Sequence, residues 1–215
     1  MLVPQDPNDE PASVLLERIK NEKKTEKSTT DNLHYPFEVP KNWVWCRLGY
    51  LCDFGTCKSI NPKEIPDYAW VLDLEDIEKD TAKLLQRTRK IDRNTTSIRH
   101  SFSKGNVLYS KLRTYLNKVL VADIGGFSTT EILPLDFKGF VVSEYARYVL
   151  MSKMFLAYTM QCGYGMKMPR LGTNDGKKAP FPLPPLFEQR RIVSKIEQIF
   201  AQLDEIEKYN KSIDT

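Results

Sequence analysis

Hydrophobic positions along the chain fall into two regimes, and the sharper one comes last. The stretch PFPLPPLFEQRRIVSKIEQIFAQLDEIEKY sets four prolines in six residues before the most helix-like segment of the protein. Ile192, Ile196, Ile199, Leu203, Ile206 and Ile213 recur at steps of four, three, four, three and seven. Asn210 fills the skipped place, Gln189 extends the seam backwards, and Val193 and Phe200 widen it into two rows. Heptad steps predict a helix that seeks a partner helix, whereas a helix covered by its own domain shows a looser stripe. Pro184 and Pro185 sit where proline is tolerated, at the start of a helix, and Glu188 suits its positive end. A helix of about 25 residues reaches roughly 37 Å, farther than a domain of this size needs to brace its own side. A terminal helix folded back on its own domain is the competing expectation.

The remaining chain is patterned at shorter range. In YPFEVPKNWVWCRLG, Trp43 and Trp45 alternate with Val44 and Cys46, which predicts a strand entering a core with both tryptophans as packing groups. AWVLDL, NVLYS, KVLVAD and FSTTEILPL are short and rich in β-branched and aromatic residues, and predict further strands. Asn61-Pro62, Gly125-Gly126 and Lys138-Gly139 predict turns. SEYARYVLMSKMFLAYTMQ predicts one helix capped by Ser143, with Ala146, Val149, Leu150, Met154 and Tyr158 on one stripe. NDEPASVLLERIKNEKKTEK predicts a short amphipathic helix with Asp9 as its cap, Pro11 in the first turn, and Ala12, Leu15, Leu16 and Ile19 apolar. A polar tether runs from Lys23 to Asn32. The expected organisation is an amphipathic arm and linker over 1–32 and a mixed α/β (α+β) globular unit over 33–184. A long coiled-coil-type helix over 185–215 completes it.

Composition narrows the class. With 41% hydrophobic and 28% charged residues, the 215-residue chain can bury a core and still hold an extended part. It has no run of about 18 apolar residues, which excludes a spanning helix, and its start lacks a signal peptide's pattern. The expected compartment is the cytoplasm. Cys46, Cys52, Cys57 and Cys162 form no Cys-x-x-Cys pair and read as reduced, mostly buried thiols. Net charge is only +4, but between Lys83 and Lys118 ten basic residues face the single acid Asp92. Basic charge concentrated in one window is the footprint of a polyanion binder, or else of a solvated lysine-rich face.

Catalytic constellations are missing. GTNDGKK departs from a phosphate-cradling loop in spacing and ends on lysine, and Gly163-Tyr164-Gly165 follows a helix rather than a strand. No Gly-x-Ser-x-Gly occurs, and neither histidine has a triad context. Alternation in DLEDIEKD would put Asp73 and Glu75 on one face, yet no Glu-x-Lys follows, so Asp73–Asp80 reads as an acidic, solvated strand-to-turn segment. Recognition chemistry is better represented. SKLRTYLNK interleaves Lys111, Arg113 and Lys118 with Tyr115 and Asn117. Arginine can take guanine bidentately and asparagine adenine, while lysine more often takes phosphate. GYGMKMPRLGTNDGKK adds a second loop with Lys167, Arg170, Asn174, Lys177 and Lys178. Lys111, Arg113, Asn117 and Lys118 are the first candidates for DNA contact, with Arg87, Arg89, Lys90, Arg93, Lys167 and Arg170 behind them. Ile192, Ile196, Ile199, Leu203 and Ile206 are the candidates for helix pairing.

The chain resembles one half of the specificity subunit of type I restriction–modification systems. FPLPPLFEQRRIVSKIEQIF carries the resemblance most specifically, then DEPASVLLERIK, with PFEVPKNWVWCRLG and GNVLYSKLRTYLNK plus FSTTEILPL in support. The resemblance implies a target recognition domain reading one half of a split DNA sequence, followed by a conserved-region helix that acts as spacer and pairing element. It further implies no catalysis and no cofactor on this chain. Methylation subunits would supply S-adenosylmethionine chemistry, and a restriction subunit ATP- and Mg-dependent translocation and cleavage. A full subunit has two recognition domains and two helices. Here there is one of each, so a second specificity half or a second copy of this chain is the expected partner; two identical copies imply a palindromic split target. The alternative function is a protein-interaction scaffold that pairs through the helix without reading DNA.

Overall fold

In the computed structural model, which describes residues 2–23, 35–162 and 169–213, short strands dominate the middle of the chain and helices its ends. The first half runs α1 (Ala12–Glu22), β1 (Val44–Arg47), α2 (Leu48–Leu51), β2 (Ser59–Ile60), β3 (Trp70–Leu72), β4 (Thr88–Arg89), β5 (Arg99–Phe102) and β6 (Val107–Ser110). The second runs β7 (Val119–Val121), β8 (Gly126–Thr129), β9 (Ile132–Leu135), α3 (Ser143–Met151), α4 (Lys153–Cys162), α5 (Thr173–Lys178), β10 (Pro180–Leu183) and α6 (Leu186–Ile213). The fold is mixed α/β with a long C-terminal helix, as its patterning predicts.

The strands form a five-stranded sheet in the order β2-β5-β8-β3-β4, a three-stranded sheet β7-β6-β9, and the pair β1-β10. Strand pairing is antiparallel except between β3 and β8. Alternation along the three-stranded sheet explains why its strands read as continuous apolar runs. Val107 and Tyr109 face the larger core with the helices, while Leu108 between them faces the smaller core with Trp70, Leu72 and Phe102. Leu120 and Ile132 join the smaller core, and Val119, Leu133 and Leu135 the larger. One sheet is thus shared by two cores.

The proline run is a strand. Pro180–Leu183 pairs antiparallel with β1, setting Phe181 against Cys46 and Pro182 against Trp45. Proline has no N–H to give a ladder, and a two-stranded pair tolerates it because each strand has a free edge. Pro184 and Pro185 then start α6. The Gln189 amide locks that start: its Nε2 donates to the Pro184 carbonyl at 3.1 Å, and its Oε1 accepts from the Val142 N–H at 2.9 Å. Tyr145 donates its hydroxyl to the Pro182 carbonyl at 2.8 Å. Trp43 packs edge-on near Tyr145, while Trp45 stacks on Tyr35 at 5.2 Å.

The N-terminal helix differs from the expected arm. Ala12, Leu15, Leu16 and Ile19 are buried in the larger core with Leu48, Leu51 and Cys52. Its cap position is Pro11 rather than Asp9. Asp9 instead binds Arg191 of α6, with Oδ2 2.5 Å from the guanidinium, and Lys23 reaches Asp53 at 3.0 Å. The apolar stripe that suggested an amphipathic arm is large enough to join the core, so it does. The tether expected after Lys23 lies outside the described residues.

Three further expectations are corrected. The helix expected from Ser143 breaks at Ser152, which turns extended; its Oγ accepts from the Phe155 N–H at 3.2 Å and so starts α4. Ser143 does not cap, because its hydroxyl donates to the Gly105 carbonyl at 2.6 Å and the cap position is Val142. The second loop expected over GYGMKMPRLGTNDGKK is partly helical: Gly176 lies in α5, where a Cβ would sit 2.0 Å from the Phe54 ring. Cys46 and Cys52 are buried, Cys57 and Cys162 half-buried, and all four are free thiols; burial raises Cys46 and pushes Cys52 up to about 12. No helix among the described residues is long and apolar enough to cross a membrane.

Packing of α1 into the core sets the first prediction. Ile19→Ala, at a fully buried position, should lower unfolding free energy by about 2–5 kcal/mol in urea titrations. An unchanged midpoint would return α1 to the status of a detachable arm.

Candidate nucleic-acid interface

The SKLRTYLNK segment is a braced loop. Backbone bonds from Lys111 N–H to Glu131 O, Arg113 N–H to Pro169 O and Leu171 N–H to Lys111 O tie it to β9 and to the chain after residue 168. A 3-10 turn over Thr114–Leu116 is flanked by Arg113 and Asn117, both in the left-handed region at φ +51° and +50° (values uncommon for residues with a Cβ). Such backbone is retained where the surroundings dictate it, and it clusters at functional positions. The consequence is a division of side chains. Asn117 and Lys118 turn inward: Asn117 Nδ2 donates to Met151 O at 3.1 Å, and Lys118 Nζ to Leu74 O at 2.6 Å. Arg113 and Tyr115 are exposed and Lys111 is half-buried. Arg170 is exposed and forks onto Glu131 at 2.9 and 3.0 Å.

The second group lies on and around β4. Arg87 takes both Asp123 oxygens at 2.7 Å and lies 4.5 Å over the Trp70 ring. Arg89 binds Asp92 at 2.8 Å. Lys90 donates to Ile65 O at 2.6 Å and reaches Asp67 at 3.2 Å. Arg93 is largely buried and clamps Asp76 at 2.5 and 2.7 Å, with Asp73 at 3.1 Å. Lys167 lies outside the described residues.

DLEDIEKD is therefore solvated only in part, with Glu75, Lys79 and Asp80 exposed and Asp76 and Ile77 buried. Asp76 is fully buried, accepting from Arg93, from Gln86 Nε2 at 2.8 Å and from the Asp73 N–H at 2.8 Å. Asp73 binds the buried Arg99 as well as Arg93. A buried charge persists only when paired and hydrogen-bonded, and the guanidiniums supply that pairing. The same segment touches the other loop, through Lys118 on Leu74 and the Asp80 N–H on Leu116 O at 3.3 Å. The acidic stretch is the hub that joins the two basic groups. The sequence holds one trace of it, the Asp73…Asp76 spacing of a capping box. Asp123, the partner of Arg87, has no such local signal. No group of three or more His, Cys, Asp or Glu among the described residues is arranged to hold a metal ion.

The heptad seam divides in two. Gln189, Ile192 and Val193 are buried in the larger core and Ile196 packs at its edge. Ile199 is half-buried. Farther out, Phe200, Leu203, Ile206 and Tyr209 are 54%, 49%, 55% and 67% exposed. The root of the helix belongs to the domain, and its outer half presents an uncovered apolar row.

No protein-family model matches the chain. It is similar to the type I restriction enzyme EcoDI specificity subunit of Escherichia coli, 29% identical over 170 residues that cover 79% of this chain and 37% of that protein. The EcoAI specificity subunit of the same organism is 27% identical and covers 95% of this chain and 38% of its own length. The chain thus spans about two-fifths of the length of the curated relatives it matches. Among solved structures, the HsdS subunit from Thermoanaerobacter tengcongensis superposes with a TM-score of 0.70 at 22% identity, over 83% of this chain and 47% of that one. A chain from a structure of type I R-M system assembly and conformational transition gives 0.71 at 23%, with the same coverage. These two share the fold. The resemblance read from the motifs is borne out along most of the chain.

The hub gives a pH prediction. Burial alone would raise the Asp76 carboxyl, but the hydrogen bonds from Arg93, Asp73 N–H and Gln86 outweigh it and hold the group below the usual carboxylate range. A depressed folded value means this stability is complete above the unfolded pKa, about 4, and is lost as pH falls through the lower folded value. Asp76→Asn should cost about 3–5 kcal/mol at neutral pH and flatten the loss of stability below about pH 4, read from urea midpoints across pH. Equal slopes in both proteins would show that the hub does not titrate as described.

Proposed function

We propose that this chain is a non-catalytic DNA sequence-recognition subunit, a half of a type I specificity subunit that reads one part of a bipartite target. The observation that carries the reading is chain-wide similarity to specificity subunits, joined to a fold that mounts two basic loop groups on one acidic hub. Lys111, Arg113, Arg87, Arg89, Lys90 and Arg170 form the DNA-facing set, and Lys167 stays with them on sequence grounds. Arg93, Asn117 and Lys118 act from behind, holding the loops. Similarity to specificity subunits supports methylation and restriction subunits as partners; we further propose a cytoplasmic complex with S-adenosylmethionine, ATP and Mg on those subunits and no cofactor on this one. The outer half of α6 pairs with a second specificity half or a second copy of this chain. A scaffold that pairs without reading DNA is not favoured by that similarity.

Selection from a randomised duplex pool by this chain with its methylation subunit tests the reading. A short motif repeated across a fixed gap supports both reading and two-fold pairing; an unenriched pool from an assembled complex rejects sequence recognition. Affinity should also fall by orders of magnitude between about 50 and 200 mM salt, as phosphate contacts require.

Two sets of variants separate the roles. Lys111→Ala should weaken all sequences alike and reduce the salt slope by about one. Arg113→Gly suits the left-handed backbone, so the thermal transition should persist while preference at one base pair relaxes by roughly 1–3 kcal/mol. A parallel loss of both would make Arg113 a structural residue. Leu203→Asp should abolish self-association in sedimentation while leaving the thermal transition unchanged, whereas Ile192→Asp should unfold the domain. A dimer that survives Leu203→Asp places pairing elsewhere.

A further inference from the structure

At the end of the five-stranded sheet an open cleft of about 440 Å³ lies between the turn before β3 and the start of β8. Tyr68 and Ile124 line it at 80% and 43% exposure, with Trp70, Phe102 and the Gly125–Gly126 backbone among its walls. Single exposed apolar side chains need no explanation, but exposed ones that line a common cleft do. A Cβ on Gly126 would meet the Phe102 ring at 2.6 Å and the Trp70 carbonyl at 2.9 Å, so that wall consists of backbone and ring edges. Trp70 is held rigidly, with Phe102 edge-on at 5.1 Å and the Arg87 guanidinium over its face. Its buried indole N–H has no partner among the described residues, an uncommon state for a donor in a folded protein.

The surroundings indicate the occupant. The turn that carries Tyr68 is stapled to the basic strand: Lys90 N–H donates to Ala69 O at 2.9 Å, Ile91 N–H to Asp67 O at 3.0 Å, and Lys90 Nζ reaches Asp67. Arg89 stands opposite Trp70 in the register. An aromatic cleft thus moves as one body with Arg87, Arg89 and Lys90. The ligand that matches a flat apolar slot bordered by cations is a planar ring attached to an anion, that is, a nucleotide. A side chain of a partner protein would use the slot but leave the cations without a role.

We propose that this cleft takes one nucleobase drawn out of the stack of the bound duplex, with Tyr68 stacking on it and the β4 cations holding its flanking phosphates. The inference rests on the DNA-reading role proposed above and adds to it a distortion of the DNA at one position. Taking a base from the stack costs a few kcal/mol, so the site gains selectivity for the base step that unstacks most easily.

The test uses the full chain alone, with no methyltransferase present, and the duplex that it selects. Single 2-aminopurine or pyrrolocytosine substitutions are scanned through that duplex. Emission at one position should rise several-fold on binding, and Tyr68→Ala should remove the rise and weaken the duplex roughly 5- to 150-fold. Tyr68 is 80% exposed, so Tyr68→Ala should leave the thermal transition in place. A tightly bound duplex with every position dark, or a rise that survives Tyr68→Ala, overturns the inference and spares the reading role. No duplex binding above the non-specific level overturns both.

Discussion

The antiparallel pairing of β1 with β10 is the constraint on which the architecture depends. It joins residues 44–47 to residues 180–183, so everything between them is a closed body and everything outside is aimed by that joint. The helix α1 packs beside it through Ala12, Leu15, Leu16 and Ile19, and α6 leaves it after only two residues, Pro184 and Pro185. Two prolines within β10 also deny donors to its free edge, which discourages a further strand from adding there. The Gln189 bonds to Pro184 and Val142, and the Arg191 bond to Asp9, then fix the direction of the helix. A stiff exit of this kind lets a rotation of the body be passed to the outer helix rather than absorbed in a linker.

Charge is organised by the same economy of burial. Of the ten basic residues between Lys83 and Lys118, at least six engage internal acceptors, among them Arg87, Arg89, Lys90, Arg93, Arg99 and Lys118. The surface potential is accordingly weaker than the linear charge count implies. Phosphate must compete with Asp123, Asp92 and Glu131 for the exposed guanidiniums, and the competition is possible because exposed pairs are worth only about 0–1 kcal/mol. Arg93 and Arg99 are different. Their carboxylate partners are buried or half-buried, and giving them up would strand a charge out of water. Exposed pairs can open onto DNA while the buried ones keep the loops in register.

Strands β1, β3, β6 and β7 were legible because β-branched and aromatic residues cluster on them, and the heptad seam because its steps are regular; FSTTEILPL, expected as one strand, is split by a turn at Thr130–Glu131 into β8 and β9. What escaped the sequence depends on partners far along the chain. Nothing local in YPFEVPKNWVWCRLG shows that Pro180–Leu183 is its neighbour, and nothing in DEPASVLLERIK shows that its apolar face is buried by Leu48 and Leu51. The acidic hub was misread for the same reason: Arg93 and Gln86 lie 17 and 10 residues from Asp76. A window that counts charges in order along the chain counts the arginines and acids as separate patches, while folding brings them together. Within SKLRTYLNK, which residues point outward depends on two left-handed residues that sequence patterning does not register.

The division of the seam changes what the helix can do as a spacer. Read as a whole, 28 residues of α6 would measure roughly 42 Å. Ile192 and Val193 are already spent in the larger core and Ile196 packs at its edge, so the length free to meet a partner starts near Ile199 and measures roughly 20 Å. In the proposed two-fold arrangement, antiparallel partners would overlap along Ile199, Leu203 and Ile206, and each would bring its own domain to the far end. The separation of the half-sites then follows from that overlap plus the fixed exit at Pro184–Pro185, not from the length of the helix. Because the exit is locked by Gln189 and Arg191, sliding the partners by one heptad would shift the two domains by about 10 Å, or roughly three base pairs of B-DNA at 3.4 Å each. In that proposed arrangement the register of the exposed row would set target spacing, and the buried root would make that register count.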